Sequence, residues 1–378
     1  MRIFAVATLY LATFIEASPA KTQVERLISA ARIYDEVEMK AAIEAIVSIG
    51  SPAIPELRPA LKDFDDNVRW QAIIAFGRIG ASARGEVHRI VRALGDDDSD
   101  VRAAAAEALG MLKVDSSNVI QSLKKHLKDE HGIVRASANW ALWELQNDKQ
   151  SIPRLTKEFA SSDWIVTDRA VRLLASIGKP ADHVLAKYLE QKENKGRQHA
   201  AAALAAMPSY SQSIIPVLLN HLSDDDPEVA QFIAKALGNA GKVPVPGIIK
   251  VLKSDSPNGK LPAIQAVGFI GKEASPALPI LLQHLSHKEQ PHRLTILHTI
   301  GSIGVNEHLT EDTVRSFLKD PNPDLRGAAC KTLAQLKVQS AASNSQLQTL
   351  AKEDPKDFVR QAAKNALLSL EADTARGE

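Results

Sequence analysis

The fold is decided by a fourteen-residue pattern that occurs three times, in copies that align with one another without a gap. The three copies are Asn67–Gly80 (NVRWQAIIAFGRIG), Asp100–Lys113 (DVRAAAAEALGMLK) and Ile133–Gln146 (IVRASANWALWELQ). Their arginines, Arg69, Arg102 and Arg135, are 33 residues apart. Self-similarity at a fixed period of this length is the signature of a repeat architecture.

The same frame continues on both sides of these copies. With the arginine taken as position zero, the other copies have position zero at Met39, Thr167, Arg197, Ala230, Lys260, Arg293, Arg326 and Arg360. The sequence therefore predicts about eleven copies.

Each copy has the periodicity of a helix pair. Apolar residues recur at positions −1, +3, +7 and +10, as in Val68, Ala72, Phe76 and Ile79, and this spacing marks one buried helical face. An acidic or proline-bearing turn precedes this helix B, and a second apolar-periodic run, such as Ile54–Leu61, forms helix A before the turn. Glycine at +11 in many copies predicts a C-cap with positive φ. One helix pair cannot bury both apolar faces, so the pairs must stack into a solenoid.

Composition excludes several classes of protein. The chain is 45% hydrophobic but only 4% aromatic, with 46 Lys plus Arg against 45 Asp plus Glu, a net charge of +1. A near-neutral chain has no global attraction to nucleic acid or to an anionic membrane. The single cysteine, Cys330, excludes an intramolecular disulfide and is expected to be a buried helix residue.

The N-terminus has the layout of a secretory signal. Arg2 precedes an apolar run, Ile3–Ile15, and small residues at Ala17–Ala20 follow, which predicts cleavage before Lys21. The run is too short to span a bilayer, and no other stretch is long and apolar enough, so no membrane span is expected in the mature chain. The predicted organisation is a signal peptide at 1–20, a solenoid at 21–371 and a polar tail at 372–378. The alternative for residues 1–20 is a first apolar helix that covers the end of the solenoid.

The repeated pattern D-x-x-x-V-R-x-x-A-x-x-A-L-G-x-I-G resembles HEAT repeats of the subtype named for phycobilisome lyases. The match is clearest at Asp65–Gly80, Asp97–Leu112 and Asp129–Leu145. The resemblance implies an all-α fold, a right-handed α-α superhelix (solenoid) with its B helices on the concave face. It also implies a ladder of hydrogen bonds between copies, made by the turn aspartates and the arginines at position zero.

No catalytic residue, cofactor or metal site is predicted. Deoxyhypusine hydroxylases resemble this architecture but carry His-Glu pairs as iron ligands, whereas Glu130-His131 has the reverse order here. His284, His287 and His292 lie close in sequence, but no carboxylate or thiolate motif completes a metal site. The segment Gly238–Lys242 lacks the Ser or Thr of a phosphate-binding loop. We therefore expect a non-enzymatic protein.

Binding is expected on the helix B positions outside the buried stripe. Position +5 holds Glu44, Ile74, Glu107, Trp140, Arg172, Ala202, Lys235, Gln265, His298, Lys331 and Asn365. The predicted binding residues are Trp70, Trp140, Trp143, Arg172, Lys235, His298 and Lys331. Tryptophan and arginine are enriched at binding hot spots, although Trp140 and Trp143 have the alternative role of filling space where neighbouring copies curve.

The sequence thus favours a protein-protein interaction scaffold that binds a protein partner and no nucleic acid. The signal layout predicts export to a bacterial periplasm or the extracellular space. The alternative is an accessory or regulatory subunit of a lyase-type enzyme, which would be cytoplasmic if residues 1–20 are retained.

Overall fold

The computed structural model describes residues 18–191, 196–254, 257–287, 291–305, 308–338 and 340–376. All regular secondary structure in these ranges is helical, which confirms the all-α class. The chain packs as two compact units: unit 1 ends at Leu173 and unit 2 begins at Leu174. The apolar run Ile3–Ile15 of the predicted signal peptide lies outside the described residues.

Unit 1 is built from alternating A and B helices, which carry odd and even numbers respectively. Its helices are α1 (Pro19–Arg32), α2 (Glu36–Ile49), α3 (Ile54–Leu57), α4 (Asp66–Ile79), α5 (Val87–Ala93), α6 (Ser99–Leu112), α7 (Ser117–His126), α8 (Gly132–Gln146), α9 (Ser151–Lys157) and the first part of α10 (Trp164–Ile177), which runs past Leu173. The B helices α4, α6 and α8 pack in sequence, each against the next. The position-zero residues from Met39 to Thr167 all lie in even-numbered helices, as the periodicity predicts.

Unit 2 continues the same alternation. Its helices are α11 (Asp182–Leu189), α12 (Arg197–Ala206), α13 (Ile215–Asn220), α14 (Pro227–Gly238), α15 (Val245–Lys253), α16 (Pro257–Ile270), α17 (Leu278–Ser286), α18 (Arg293–Ile303), α19 (His308–Ser316), α20 (Pro323–Gln335), α21 (Ala341–Glu353) and α22 (Asp357–Arg376). From α12 to α22 each B helix packs on the next, and α13, α15, α17 and α19 do the same among themselves. Unit 2 is therefore two helical layers. Its last helix extends through most of the predicted polar tail.

The ends of the B helices follow from local sequence. Asp65 caps α4 by accepting a hydrogen bond from the Asn67 N–H at 2.9 Å, and Asp98 accepts the Val101 N–H at 2.9 Å in front of α6. The glycines predicted at +11 all have positive φ, between 61° and 73°: Gly50, Gly80, Gly178, Gly241, Gly271 and Gly304. Within the described ranges no helix is both long enough and apolar enough to cross a membrane.

An arginine–carboxylate ladder joins successive copies, as the resemblance implied. Its pairs are Arg69–Asp96, Arg102–Asp129 and Arg135–Glu158 in unit 1, and Arg197–Asp224, Arg293–Asp320 and Arg326–Asp354 in unit 2. Arg102 is representative: its Nε and Nη2 donate to the two Asp129 oxygens at 3.0 and 3.1 Å. Its Nη1 donates to the Asp96 and Asp97 carbonyl oxygens, each at 2.9 Å. Each such rung therefore fixes one turn onto the next copy.

The charge balance of the ladder is local. Burial opposes ionisation of Asp129, but hydrogen bonds from Arg102 and from the His131 N–H outweigh it and hold the pKa of the carboxyl below its ordinary value. At Asp354 the largest effect is the Arg326 hydrogen bond itself, which lowers the pKa of that carboxyl.

The ladder is interrupted in unit 2, and both partners of a rung are absent together. Ala230 replaces the arginine, and the position that the aspartate would occupy is Ser254. In the next copy Lys260 replaces the arginine and His287 the aspartate. Loss of both charges at Ala230 and Ser254 is expected because either charge left alone in a partly buried turn is costly, whereas Lys260 keeps a cation. A cleft of about 360 Å³ opens beside Ala230, lined also by Asp225, Gln231, Leu261, Pro262 and Gln265.

Candidate partner-binding surface

The +5 side chains of the B helices face solvent in most copies, as predicted. Glu44, Arg172, Lys235, His298, Lys331 and Asn365 are exposed, and Ile74, Glu107, Ala202 and Gln265 are half-buried. Trp140 is the exception, with only 9% of its surface exposed. Positions +5 and +9 of the B helices, together with neighbouring exposed or half-buried side chains such as Trp143 (+8), Gln231 (+1) and Lys364 (+4), form the solvent-facing side of the B layer within each unit. We call this side the B face.

The structure differs from the sequence prediction at Trp140. Its indole covers Gly110 of α6 so closely that a Cβ on Gly110 would lie 2.8 Å from Trp140 Cζ3 and 3.1 Å from the Ala141 Cα. The tryptophan fills the space that a glycine at +8 leaves in the preceding copy. Trp140 is therefore a packing residue, which is the alternative that the sequence left open.

The three tryptophans among the predicted binding residues do not meet. Trp70 is half-buried on α4, whereas Trp140 and Trp143 lie on α8, and α6 packs between these two helices. Trp143 is half-buried and lines an open cleft of about 790 Å³. The remaining lining residues of that cleft are Lys113, Asp115, Glu144, Leu145, Gln146 and Asn147. Trp70 and Trp143 thus offer two separate aromatic contacts.

Among the basic residues predicted to bind, Arg172 differs from the others because it is paired within the molecule. Arg172 Nε donates to Asp168 Oδ2 at 2.9 Å, one helical turn away, so its charge is neutralised locally. Lys235, His298 and Lys331 lie on α14, α18 and α20 of unit 2, and all three are exposed. The pKa of His298 is lowered by partial burial and by the positive charge of Lys331.

A buried polar network in unit 1 escaped the sequence analysis. Arg169 on α10 is 9% exposed, and its Nη1 donates to Glu107 Oε1 on α6 at 2.8 Å. Ser137 on α8 donates to the same oxygen at 2.7 Å, and Asp100 lies 3.6 Å from Arg169 Nη2. Burial raises the pKa of Asp100, and the Arg169 charge opposes that shift. The network links three consecutive B helices. An arginine at +2, where the other copies have no Lys or Arg, was the one signal that pointed to it.

Cys330 and His284 are held within the packed structure. Cys330 is buried, as predicted, and burial raises the pKa of its thiol to about 12, so it remains protonated. His284 Nε2 lies 3.0 Å from the Leu252 carbonyl oxygen. Among the described residues, no group of three or more His, Cys, Asp or Glu side chains is placed to hold a metal ion.

One hydrogen-bond chain has the connectivity of a Ser–His–Asp triad. Ser213 Oγ lies 3.1 Å from His183 Nε2, and His183 Nδ1 lies 2.5 Å from Asp182 Oδ1. Asp182 is fully buried and also accepts the Ser211 N–H at 2.6 Å. The His183 side chain is 64% exposed, whereas an acyl-transfer site needs a water-excluding pocket and oxyanion donors. We interpret these hydrogen bonds as contacts that hold residues 211–213 in place.

Stacked helix pairs, positive-φ glycine caps and an arginine–carboxylate ladder define an α-helical solenoid of the HEAT type. A family model described as HEAT repeats matches residues 54–143, 120–206, 215–293 and 278–368. These segments cover more than half of the chain, which therefore belongs to the HEAT-repeat family. No curated protein sequence matches it significantly.

Solved structures of similar fold are importin-type solenoids. Yeast importin-β (Kap95p) is 16% identical, with a TM-score of 0.53, and the match covers 93% of this chain and 57% of that one. Kap95p with RanGDP gives 17% identity and a TM-score of 0.55, with coverage of 93% and 56%. The karyopherin Kap121p, bound to the extreme C-terminus of the protein phosphatase Cdc14p, is 11% identical, with a TM-score of 0.54. That match covers 93% of this chain and 46% of Kap121p. The chain spans about half the length of these proteins, and at this identity the likeness shows the fold alone.

Proposed function

We propose that the protein is a non-enzymatic scaffold that binds a protein partner along its B face. The observation that carries the proposal is that different positions on each B helix have different roles. The ladder and the core use position zero and the buried stripe, whereas the +5 side chains vary from copy to copy and mostly face solvent. Positions that neither pack nor pair within the molecule are free to contact another one.

The fold supports the same proposal. Solenoids present long, continuous surfaces to partners, and the similar Kap121p structure contains a bound segment of another protein. Trp143 beside an open cleft and half-buried Trp70 are the aromatic groups in unit 1 that a partner can reach.

The proposed location is outside the cytoplasm of a bacterium. The signal layout of residues 1–20 supports it. The finer proposal of the phycobilisome-lyase-like HEAT subtype rests on the D-x-x-x-V-R pattern. If the protein is instead an accessory subunit of a lyase-type enzyme, we expect the chain to retain Met1 and to remain in the cytoplasm.

Site-specific photo-crosslinking in the native host tests the proposal. A photoreactive amino acid replaces Trp143 or Gln265 on the B face, one position in each unit. The matched controls are Lys124 on α7 and Lys250 on α15, which are exposed on A helices of the same units.

The proposal predicts one reproducible adduct with a single protein from the B-face positions and none from the controls. Adducts from the A-helix positions alone would contradict it. N-terminal sequencing of the same purified chain tests the location, because a start at Lys21 supports export and a start at Met1 supports the cytoplasmic alternative.

A further inference from the structure

We propose that the B face of unit 2 binds an extended acidic segment of the partner protein. This inference rests on the proposed function and specifies the chemistry of the partner. It is carried by the distribution of charge over the B helices of unit 2 and by three lysines of that face that form no ion pair within the described part of the chain.

The B helices of unit 2 contain no carboxylate at positions +1 to +10. The six stretches 198–207, 231–240, 261–270, 294–303, 327–336 and 361–370 lack Asp and Glu altogether. They hold five basic side chains: His199, Lys235, His298, Lys331 and Lys364. The corresponding stretches of unit 1 contain Glu44, Glu107, Glu144 and Asp168. The asymmetry is therefore specific to unit 2 in a chain whose total charge is nearly balanced.

The lysines of this face are exposed and have no counter-charge among the residues that the structure describes. Lys235, Lys331 and Lys364 are all solvent-exposed, and none forms an ion pair with another described residue. In unit 1 carboxylates on the same face neutralise some of the cations, as in Arg172–Asp168 and Lys113–Glu144. Unpaired cations in the copies of Ala230, Arg326 and Arg360 are complementary to carboxylates spaced along an extended chain.

The rest of the face suits a peptide. Between the cations lie the amide side chains of Gln231 and Gln265, which can donate to and accept from a peptide backbone. Phe269 is 55% exposed and Leu294 is 41% exposed on the same helices, so apolar contacts are available beside the charges. An acidic segment with interspersed apolar residues is the ligand that matches all three features.

A nucleic acid matches this surface less well. The A–B turns at the N-terminal ends of the same helices are acidic, with Asp224, Asp225, Asp226, Asp320 and Asp324. A phosphodiester backbone broad enough to fill the face would approach these carboxylates, whereas a single extended peptide can follow the +5 positions alone.

The test uses the full chain and a defined probe. The probe is a fluorescein-labelled peptide of alternating Glu, Ala and Leu, about twelve residues long, which spans about four helices at about 10 Å each. Binding is measured by fluorescence anisotropy for the wild type, for Lys235→Glu/Lys331→Glu, and for Lys187→Glu/Lys250→Glu. The last variant is the matched control, because it makes the same change of charge on exposed A helices of unit 2. Far-UV circular dichroism verifies that all three are folded.

The proposal predicts saturable binding that weakens with salt, at least about tenfold weaker for the B-face variant and unchanged for the control. Equal losses in the two variants would overturn it, as would no binding at about millimolar peptide. Tighter binding of a single-stranded oligonucleotide of the same charge to the same lysines would also overturn it in favour of a nucleic acid. If photo-crosslinks arise from the B face but the acidic peptide does not bind, this inference fails and the proposed function stands.

Discussion

Replacing Asp129 by asparagine tests the ladder at a rung that is almost closed to solvent. The Arg102 and Asp129 side chains are only 10% and 9% exposed. Asparagine keeps the shape of the side chain. It also keeps an oxygen that can accept the hydrogen bond from the His131 N–H, which Asp129 Oδ1 accepts at 2.9 Å in the wild type. The substitution therefore removes mainly the negative charge that Arg102 faces.

The expected loss can be worked from the contacts. Leaving one member of a buried ion pair without its partner costs about 3 to 5 kcal/mol. Arg102 retains the Asp96 and Asp97 carbonyl oxygens as acceptors, so we expect the lower end, about 3 kcal/mol. Arg102→Met is expected to cost a similar amount. The double variant should lose about 3 kcal/mol rather than about 6, because no charge is left unpaired.

Urea unfolding followed by far-UV circular dichroism and by tryptophan fluorescence measures these free energies. The comparison pair is Arg172–Asp168, whose side chains are 63% and 49% exposed and whose coupling should be below about 0.5 kcal/mol. If the Arg102 and Asp129 losses simply add, within about 0.5 kcal/mol, the rungs are not coupled pairs and our account of the ladder is wrong.

Three further predictions follow from the packing. Ala230→Arg should destabilise unit 2, and Ala230→Arg/Ser254→Asp should recover the loss by building a new rung. The coupling energy between the two substitutions should be about 1 to 3 kcal/mol in thermal or urea unfolding. Additive effects of the two substitutions would argue against a rung at this position. Trp140→Ala should lower the free energy of unfolding by about 3 to 5 kcal/mol because the indole is buried over Gly110. An unchanged free energy of unfolding would mean that Trp140 is a surface residue after all. The pKa of Asp129 is depressed in the folded state, so its contribution is full above its unfolded pKa and lost as the pH falls through the folded one. The stability difference between wild type and Asp129→Asn should therefore be constant above about pH 5 and shrink below about pH 4; a pH-independent difference would contradict the assignment.

The fold was predictable because its signals are local and repeated. Asp65 before α4 and Gly80 after it mark the helix ends, and the apolar spacing between them marks the buried face. Because the copies share one frame, the order of A and B helices follows as well. The division into two units at Leu173 was not predictable, since no change of composition marks it.

The surface was less predictable because exposure depends on pairs of copies. Trp140 is buried because position +8 of the preceding copy is Gly110, a combination that a single-copy pattern does not encode. The contact between Glu107 and Arg169 joins residues 62 apart in sequence and depends on how α6, α8 and α10 stack. Lys235 and Lys331 were found because they are exposed at +5 and need no partner to be recognised as surface charges.

The most direct test of the central claim is hydrogen exchange on the complex between the full chain and the protein captured by photo-crosslinking. If the B face binds that partner, amides in α14, α16, α18 and α20 should exchange more slowly in the complex, while those in α13, α15 and α17 keep their free rates. Protection confined to the A helices, or spread evenly over both layers, would contradict a scaffold that binds through its B face.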